Sequence, residues 1–143
     1  MNAMETRGRR LLALGATLFM IGLLTGLVVP ILTNPRMGLS GHLEGVMNVT
    51  FLLAVGAVWS KLKLTERLER ATFALLCYGT VANWLFISLA ALWGTSATTP
   101  IAGAGFKGMP WQETVVMIGL TTVALAIIVG CALLMLGFIR RAD

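Results

Sequence analysis

His42, Glu44 and Asn48 fall in one short run, Gly41-His42-Leu43-Glu44-Gly45-Val46-Met47-Asn48, where polar sequence gives way to an apolar segment. The histidine is the only one in the chain. An imidazole can hold a metal or a haem iron, a carboxylate can take a proton, and a carboxamide both donates and accepts hydrogen bonds. Inside hydrocarbon each of these groups costs several kcal/mol unless it is paired or put to use. Glu44 and Asn48 are one helical turn apart and share a face. His42 and Asn48 are six residues apart, which separates them by about 120° around a helix axis. The two need not point into the same space: the spacing leaves His42 free to face a neighbouring subunit while Asn48 faces the edge of a pocket.

Three more polar residues join the candidates. Tyr78 and Asn83 lie in Tyr78-Gly79-Thr80-Val81-Ala82-Asn83-Trp84, the most polar stretch of any apolar run, and Glu113 opens the last run. At about 1.5 Å of rise per residue, Asn48 lies roughly 9 Å along its helix from His42, and Asn83 roughly 15 Å before the outer end of its own. All of them are biased towards one half of the membrane, so the expectation is a single pocket opening outwards. Plainer readings exist for each. A lone histidine near a membrane boundary is more often an interfacial or hydrogen-bonded residue than a ligand. Asn48 and Asn83 can simply bond across helices, a contact worth about 0.6 kcal/mol on average. Glu44 can form an interfacial ion pair with Arg36. Periodicity alone stops at a polar outer pocket without an assigned purpose.

The elements that must position these groups are read from composition. Of 143 residues, 57% are hydrophobic and 12% charged, with a mean hydropathy of +0.87. Soluble domains carry about 25% charged residues, so too few charges remain here to cover a water-facing surface. Four apolar runs, Leu11–Leu32, Leu43–Trp59, Ala71–Trp93 and Val115–Ile139, each approach the length that crosses a bilayer as a helix. The fold class expected is all-α, an integral membrane four-helix transmembrane bundle. It forms one domain over 1–143 with spans about 11–32, 43–60, 69–93 and 112–139. The first run is too long for a signal-peptide core and lacks a small-x-small cleavage site, so it is read as helix 1.

The net charge of +5 does not point to nucleic acid, because the basic residues are distributed by side. Arg7, Arg9, Arg10, Lys61, Lys63, Arg67, Arg70, Arg140 and Arg141 fall on one side of a four-pass topology, with only Arg36 and Lys107 on the other. That is the positive-inside pattern of a multi-pass membrane protein with both termini cytoplasmic and its basic groups against lipid. Trp59, Trp93 and Trp111 end or begin runs, as interfacial tryptophans do, whereas Trp84 is mid-run. Gly22-Leu23-Leu24-Thr25-Gly26 is a GxxxG that lets helices approach. Residues 33–41 read as a turn-rich loop, with Ser40 as cap of helix 2 and Glu44 near its positive end. Thr65 is placed to cap helix 3, and Glu66 and Arg70 to pair one turn apart. Residues 94–110, rich in glycine and proline, read as non-helical, either a lid or a connector. Cys77 and Cys131 have no zinc or redox spacing.

The stretch Asn34-Pro35-Arg36-Met37-Gly38-Leu39-Ser40-Gly41-His42-Leu43-Glu44-Gly45-Val46-Met47-Asn48 resembles the hydroxylaminobenzene mutases, small bacterial membrane enzymes that convert aryl hydroxylamines to 2-aminophenols. Length, four spans and the basic inner loop agree with that family, and the resemblance implies a place in the bacterial inner membrane. The chain is more distantly similar to styrene oxide isomerase, whose family has a His and an Asn separated by five residues at the start of helix 2. The resemblance implies that His42 is the axial ligand of a haem b held between subunits of a homotrimer, whose ferric iron acts as a Lewis acid on a small aromatic substrate. It also implies that Asn48 lines the substrate site. Helix 3 of that family carries an Asp and an aromatic hydroxyl. This chain has no Asp there, which leaves Tyr78 and Asn83 as its candidates. Tyr78 or Glu113 is then available to move protons, and Glu44 or a backbone carbonyl to orient the His42 ring. The alternatives are an aryl epoxide isomerase and, in another class, a small transporter or scaffold subunit. The absence of a carboxylate in helix 1 and deep in the other spans argues against an ion-driven carrier.

Overall fold

Proline and glycine set most of the helix ends. Pro30 removes a donor and ends α1 (Ala3–Val28) in a single 3-10 turn, Val29–Ile31. Pro35 and Pro110 occupy first positions of α2 (Pro35–Val58) and α5 (Pro110–Ile139), where a missing N–H costs nothing. Gly94, in the left-handed region at φ 70°, closes α3 (Glu66–Trp93). Between α3 and α5 a single helical turn, α4 (Pro100–Gly103), interrupts a stretch expected to be non-helical. These elements come from a computed structural model that describes residues 3–140, so Arg141 lies outside the described residues. Four segments, Ala3–Ile31, Pro35–Lys61, Glu66–Trp93 and Pro110–Ile139, are long and apolar enough to cross a membrane. Among the described residues there is no strand. The protein is an all-α membrane protein built as a four-helix bundle.

Close backbone approach holds the bundle together. Apolar burial gives little drive between helices in lipid, so small residues that admit a neighbouring backbone matter more. A Cβ added to Gly45 of α2 would lie 2.7 Å from the Cα of Gly22 in α1, and one added to Gly8 would lie 3.0 Å from the carbonyl oxygen of Gly56. α1 and α2 therefore pack along their length, α3 pairs with α5, and α2 joins the two pairs through α3. Large apolar side chains such as Leu27, Ile31 and Ile128 are left outside, where lipid covers them.

The second helix begins at Pro35 rather than near residue 43, which corrects the reading of 33–41 as a loop. Its cap is Asn34, whose side-chain oxygen accepts from Met37 N–H at 3.1 Å; Ser40 instead donates to the carbonyl of Arg36 within the helix. Glu44 is thus more than two turns inside α2, away from its positive end. Thr65 stands at the cap of α3 without a side-chain capping bond, while Glu66 and Arg70 do pair.

Asn34 also does a second job. It is fully buried, and its amide donates to the carbonyls of Gly103 (2.9 Å) and Ala102 (3.4 Å), while its own N–H donates to Ala91. One side chain therefore ties the start of α2, the end of α3 and the α3–α5 loop together. Asn34→Ala is expected to destabilise the protein by about 2 kcal/mol, combining a lost cap with stranded loop carbonyls. Asn34→Asp keeps the capping oxygen but faces the two carbonyls with a third acceptor. It should cost less at the helix start while making residues 94–109 the faster site of limited proteolysis. Melting in detergent and protease mapping read the two effects separately.

At the opposite end lie all the described basic residues except Arg36 and Lys107. There Arg7 of α1 and Glu69 of α3 form an ion pair at 2.8 Å, off the line of a hydrogen bond, and Trp59 Nε1–H donates to the other Glu69 oxygen at 2.8 Å. Trp59 is consequently buried against Phe73, not displayed at an interface as expected, because Glu69 gives its N–H a partner inside. Trp93 and Trp111 stack edge-on at the other end, with Trp111 exposed. Cys77 and Cys131 are free thiols.

Candidate active site

The glycines of α1 fix the histidine. His42 Nδ1 lies 2.8 Å from the carbonyl oxygen of Gly22. A carbonyl only accepts, so Nδ1 carries a proton, and the ring's second nitrogen, Nε2, is turned away from that bond. A Cβ on Gly26 would lie 2.8 Å from the same Nδ1. The GxxxG of α1 therefore contributes two things: Gly22 touches α2 and orients the ring, and Gly26 leaves the ring its place. A backbone carbonyl, one of the two acceptors expected for the ring, fills that position.

The other edge of α2 faces α3. Asn83 Nδ2 donates to Glu44 Oε2 at 2.6 Å, and Asn48 Nδ2 donates to the carbonyl of Thr80 at 3.3 Å. Glu44 and Asn48 are one turn apart on α2, and Thr80 and Asn83 nearly one turn apart on α3, so the contacts form two rungs between neighbouring helices. All three side chains are half-buried. Glu44 is engaged by Asn83, not by Arg36. Next to these rungs Trp84 turns its Nε1–H onto Thr25 of α1 at 3.0 Å, and its ring edge borders Gly45.

Helix geometry keeps the two edges apart. His42 and Glu44 differ by about 160° and His42 and Asn48 by about 120° around α2. Within one chain there is accordingly no single pocket collecting every polar candidate; His42 faces α1, and Glu44, Asn48 and Asn83 form a separate group. Tyr78 points elsewhere again. Its hydroxyl lies 2.6 Å from Thr122 Oγ1 on the α3–α5 side, between two apolar surface grooves of about 360 and 450 Å³. Glu113 sits at the start of α5, where its carboxylate accepts from the backbone N–H groups of Ser96 (3.1 Å), Ala97 (3.0 Å) and Gly108 (2.9 Å). Those bonds fold the α3–α5 loop over the end of the bundle.

Sequence reasoning missed the Thr80 carbonyl, the Gly22 carbonyl and the clearance at Gly26. For the glycines a signal existed, since a GxxxG on an antiparallel neighbour can approach the start of the next helix. Nothing in the sequence selects the carbonyl of Thr80. Among the described residues no three His, Cys, Asp or Glu side chains gather to hold a metal ion. His42, held at Nδ1, leaves one ring nitrogen without a hydrogen-bond partner among the described residues.

The architecture defines a class: a small, all-helical membrane protein whose candidate polar residues lie on two separate edges of α2. A styrene oxide isomerase family model matches residues 7–139, and the chain belongs to that family. It is 47% identical to hydroxylaminobenzene mutase HabB of Ectopseudomonas oleovorans over 130 residues, covering 90% of this chain and 79% of the relative. It is 44% identical to hydroxylaminobenzene mutase HabA of the same organism over 131 residues, covering 91% and 97%. No solved structure matches. The protein is an isomerase.

Proposed function

We propose that the protein rearranges aryl hydroxylamines to 2-aminophenols. The observation that carries this reading is the likeness to two hydroxylaminobenzene mutases across nine-tenths of the chain. In the reaction the N–O bond breaks, oxygen reappears on the ortho carbon, the nitrogen gains a proton and the ring carbon loses one, so no external oxidant or reductant enters. Asn48 has an amide whose oxygen is uncommitted, and it orients the hydroxylamine. Glu44, one turn away, is the carboxylate nearest that amide and holds the proton in transit. The apolar helix faces around them exclude water, which would otherwise intercept a cationic ring.

Haem b fits the site as its cofactor. His42 would hold it, Gly22 would fix the ring's orientation by accepting from Nδ1, as partners of ligating histidines do, and Gly26 leaves the ring its place. When bound, the ferric iron supplies a Lewis acid for the substrate heteroatom. Because His42 and the Glu44–Asn48 edge point away from each other, a second copy must bring one chain's histidine to another's amide group. A homotrimer in the inner membrane, with both termini cytoplasmic as the basic end argues, meets that need.

A second reading, aryl epoxide isomerisation, is favoured by the name of the family model. Purified protein in detergent, given phenylhydroxylamine or styrene oxide in separate reactions, decides. The expected product is 2-aminophenol from the first. Phenylacetaldehyde from the second, without 2-aminophenol from the first, moves the assignment to the epoxide reading. Turnover of neither sinks both and favours a transporter or scaffold.

A further inference from the structure

The two rungs between α2 and α3 fix which way each amide faces. The Thr80 carbonyl can only accept, so Asn48 must turn its NH2 towards it and its oxygen away. The Glu44 carboxylate likewise takes the NH2 of Asn83, which turns that oxygen away too. Three acceptor atoms, Glu44 Oε1, Asn48 Oδ1 and Asn83 Oδ1, are left without a hydrogen-bond partner among the described residues. Against them, among the described residues, stand the second protons of the two amides. Glu44 is also the only described carboxylate that neither belongs to the basic end nor ties down the α3–α5 loop.

We infer that Glu44, held by Asn83, makes this site select aromatic ligands that donate hydrogen bonds over those that only accept them. An aryl hydroxylamine brings an N–H and an O–H, and a 2-aminophenol brings an O–H and an NH2; each satisfies the open acceptors. An epoxide or a ketone brings an acceptor to a carboxylate oxygen and leaves it unsolvated in apolar surroundings. Sites built to bond a substrate's OH or NH reject the analogue lacking it far more strongly than apolar pockets reject a change of size. On this ground the Glu44–Asn83 pair favours hydroxylamine over epoxide ligands at this site. That the ligand binds here rests on the reading proposed above; the direction of its selectivity rests on the amide orientations.

The test uses two unreactive probes, 2-aminophenol and acetophenone, in equilibrium binding to the purified full-length protein in detergent. Wild type is expected to bind 2-aminophenol at least about tenfold more tightly, and Glu44→Gln to lose about tenfold of that ratio, the scale of a hydrogen bond to a charged group. Glu44→Met, apolar and of similar length, predicts the same collapse and serves where the glutamine variant does not fold. A wild type without preference overturns the inference. So does a variant in which both affinities fall together, as a merely structural role for Glu44 would give, or one in which neither moves. Turnover of phenylhydroxylamine is measured alongside. Preference without turnover sinks the catalytic reading and leaves the selectivity standing, while turnover without preference does the reverse.

Discussion

His42→Ala is expected to lower turnover of phenylhydroxylamine by more than about 100-fold, and to remove haem absorbance from the purified protein, while leaving it folded. Loss of a partner that merely orients a ligating histidine costs about 10- to 100-fold, and under the proposed ligation the ligand itself goes. Folding should survive because the ring is only partly buried and its one bond, to the Gly22 carbonyl, lies beside a Gly22–Gly45 contact that does not need it. Gly26→Val separates ligation from packing. Its Cβ would stand 2.8 Å from Nδ1 and must push the ring off the Gly22 carbonyl while the histidine remains in the chain. Activity should then fall by about 10- to 100-fold, the cost of a misoriented ligand, with a haem band that is weakened or shifted. If His42→Ala keeps both its absorbance and its turnover, histidine ligation is rejected. If Gly26→Val is indistinguishable from wild type, the ring does not depend on its cradle.

How much of this could be read from the chain differs by level. Hydropathy and charge locate four spans and a basic end because lipid imposes a length and a side on any helix that crosses it. The 120° between His42 and Asn48 is legible too, since helix geometry converts spacing into angle. What angle does not give is the partner. Gly22 meeting Gly45 sets where α1 crosses α2, and only that contact decides that the ring finds a carbonyl. The register of α3 against α2 likewise decides that Glu44 meets Asn83 and not Arg36. The start of α2 was hidden by composition. Gly38, Ser40 and Gly41 look like a turn, yet Asn34 and Pro35 begin a helix through them because packing admits those small residues: a Cβ on Gly41 would lie 3.2 Å from Ser88 Oγ. Glu113 was legible as a carboxylate at a helix start. Its three loop N–H partners are a product of the loop's fold.

The second large effect lies at the basic end. Glu69→Ala is expected to destabilise the protein by about 3 kcal/mol, the lower edge of what removing one partner of a buried ion pair costs. The variant strands two groups: the guanidinium of Arg7, whose side chain is 13% exposed, and the Trp59 N–H inside the core. Arg7 retains a weaker recourse, since Glu66 lies 4.0 Å away on an exposed turn, which is why the lower edge applies. Replacing both partners, Arg7→Leu with Glu69→Leu, should recover a large part of the loss, because no charge then has to be held away from water. Glu69→Gln keeps an acceptor for Trp59 without the charge and should fall between. Denaturation midpoints of the detergent-solubilised variants order these four proteins. A Glu69→Ala midpoint equal to wild type would show that α1 and α3 are latched elsewhere, and a double variant worse than Glu69→Ala would show that the pair itself stabilises the bundle. In none of them should KM for the hydroxylamine change. Glu44 lies twelve residues, or roughly 18 Å, along α2 from the Gly56 contact, and its partner Asn83 is nearly four turns up α3 from Glu69. A loss of folded protein with unaltered KM is therefore the signature of a latch that holds the helices without touching the chemistry.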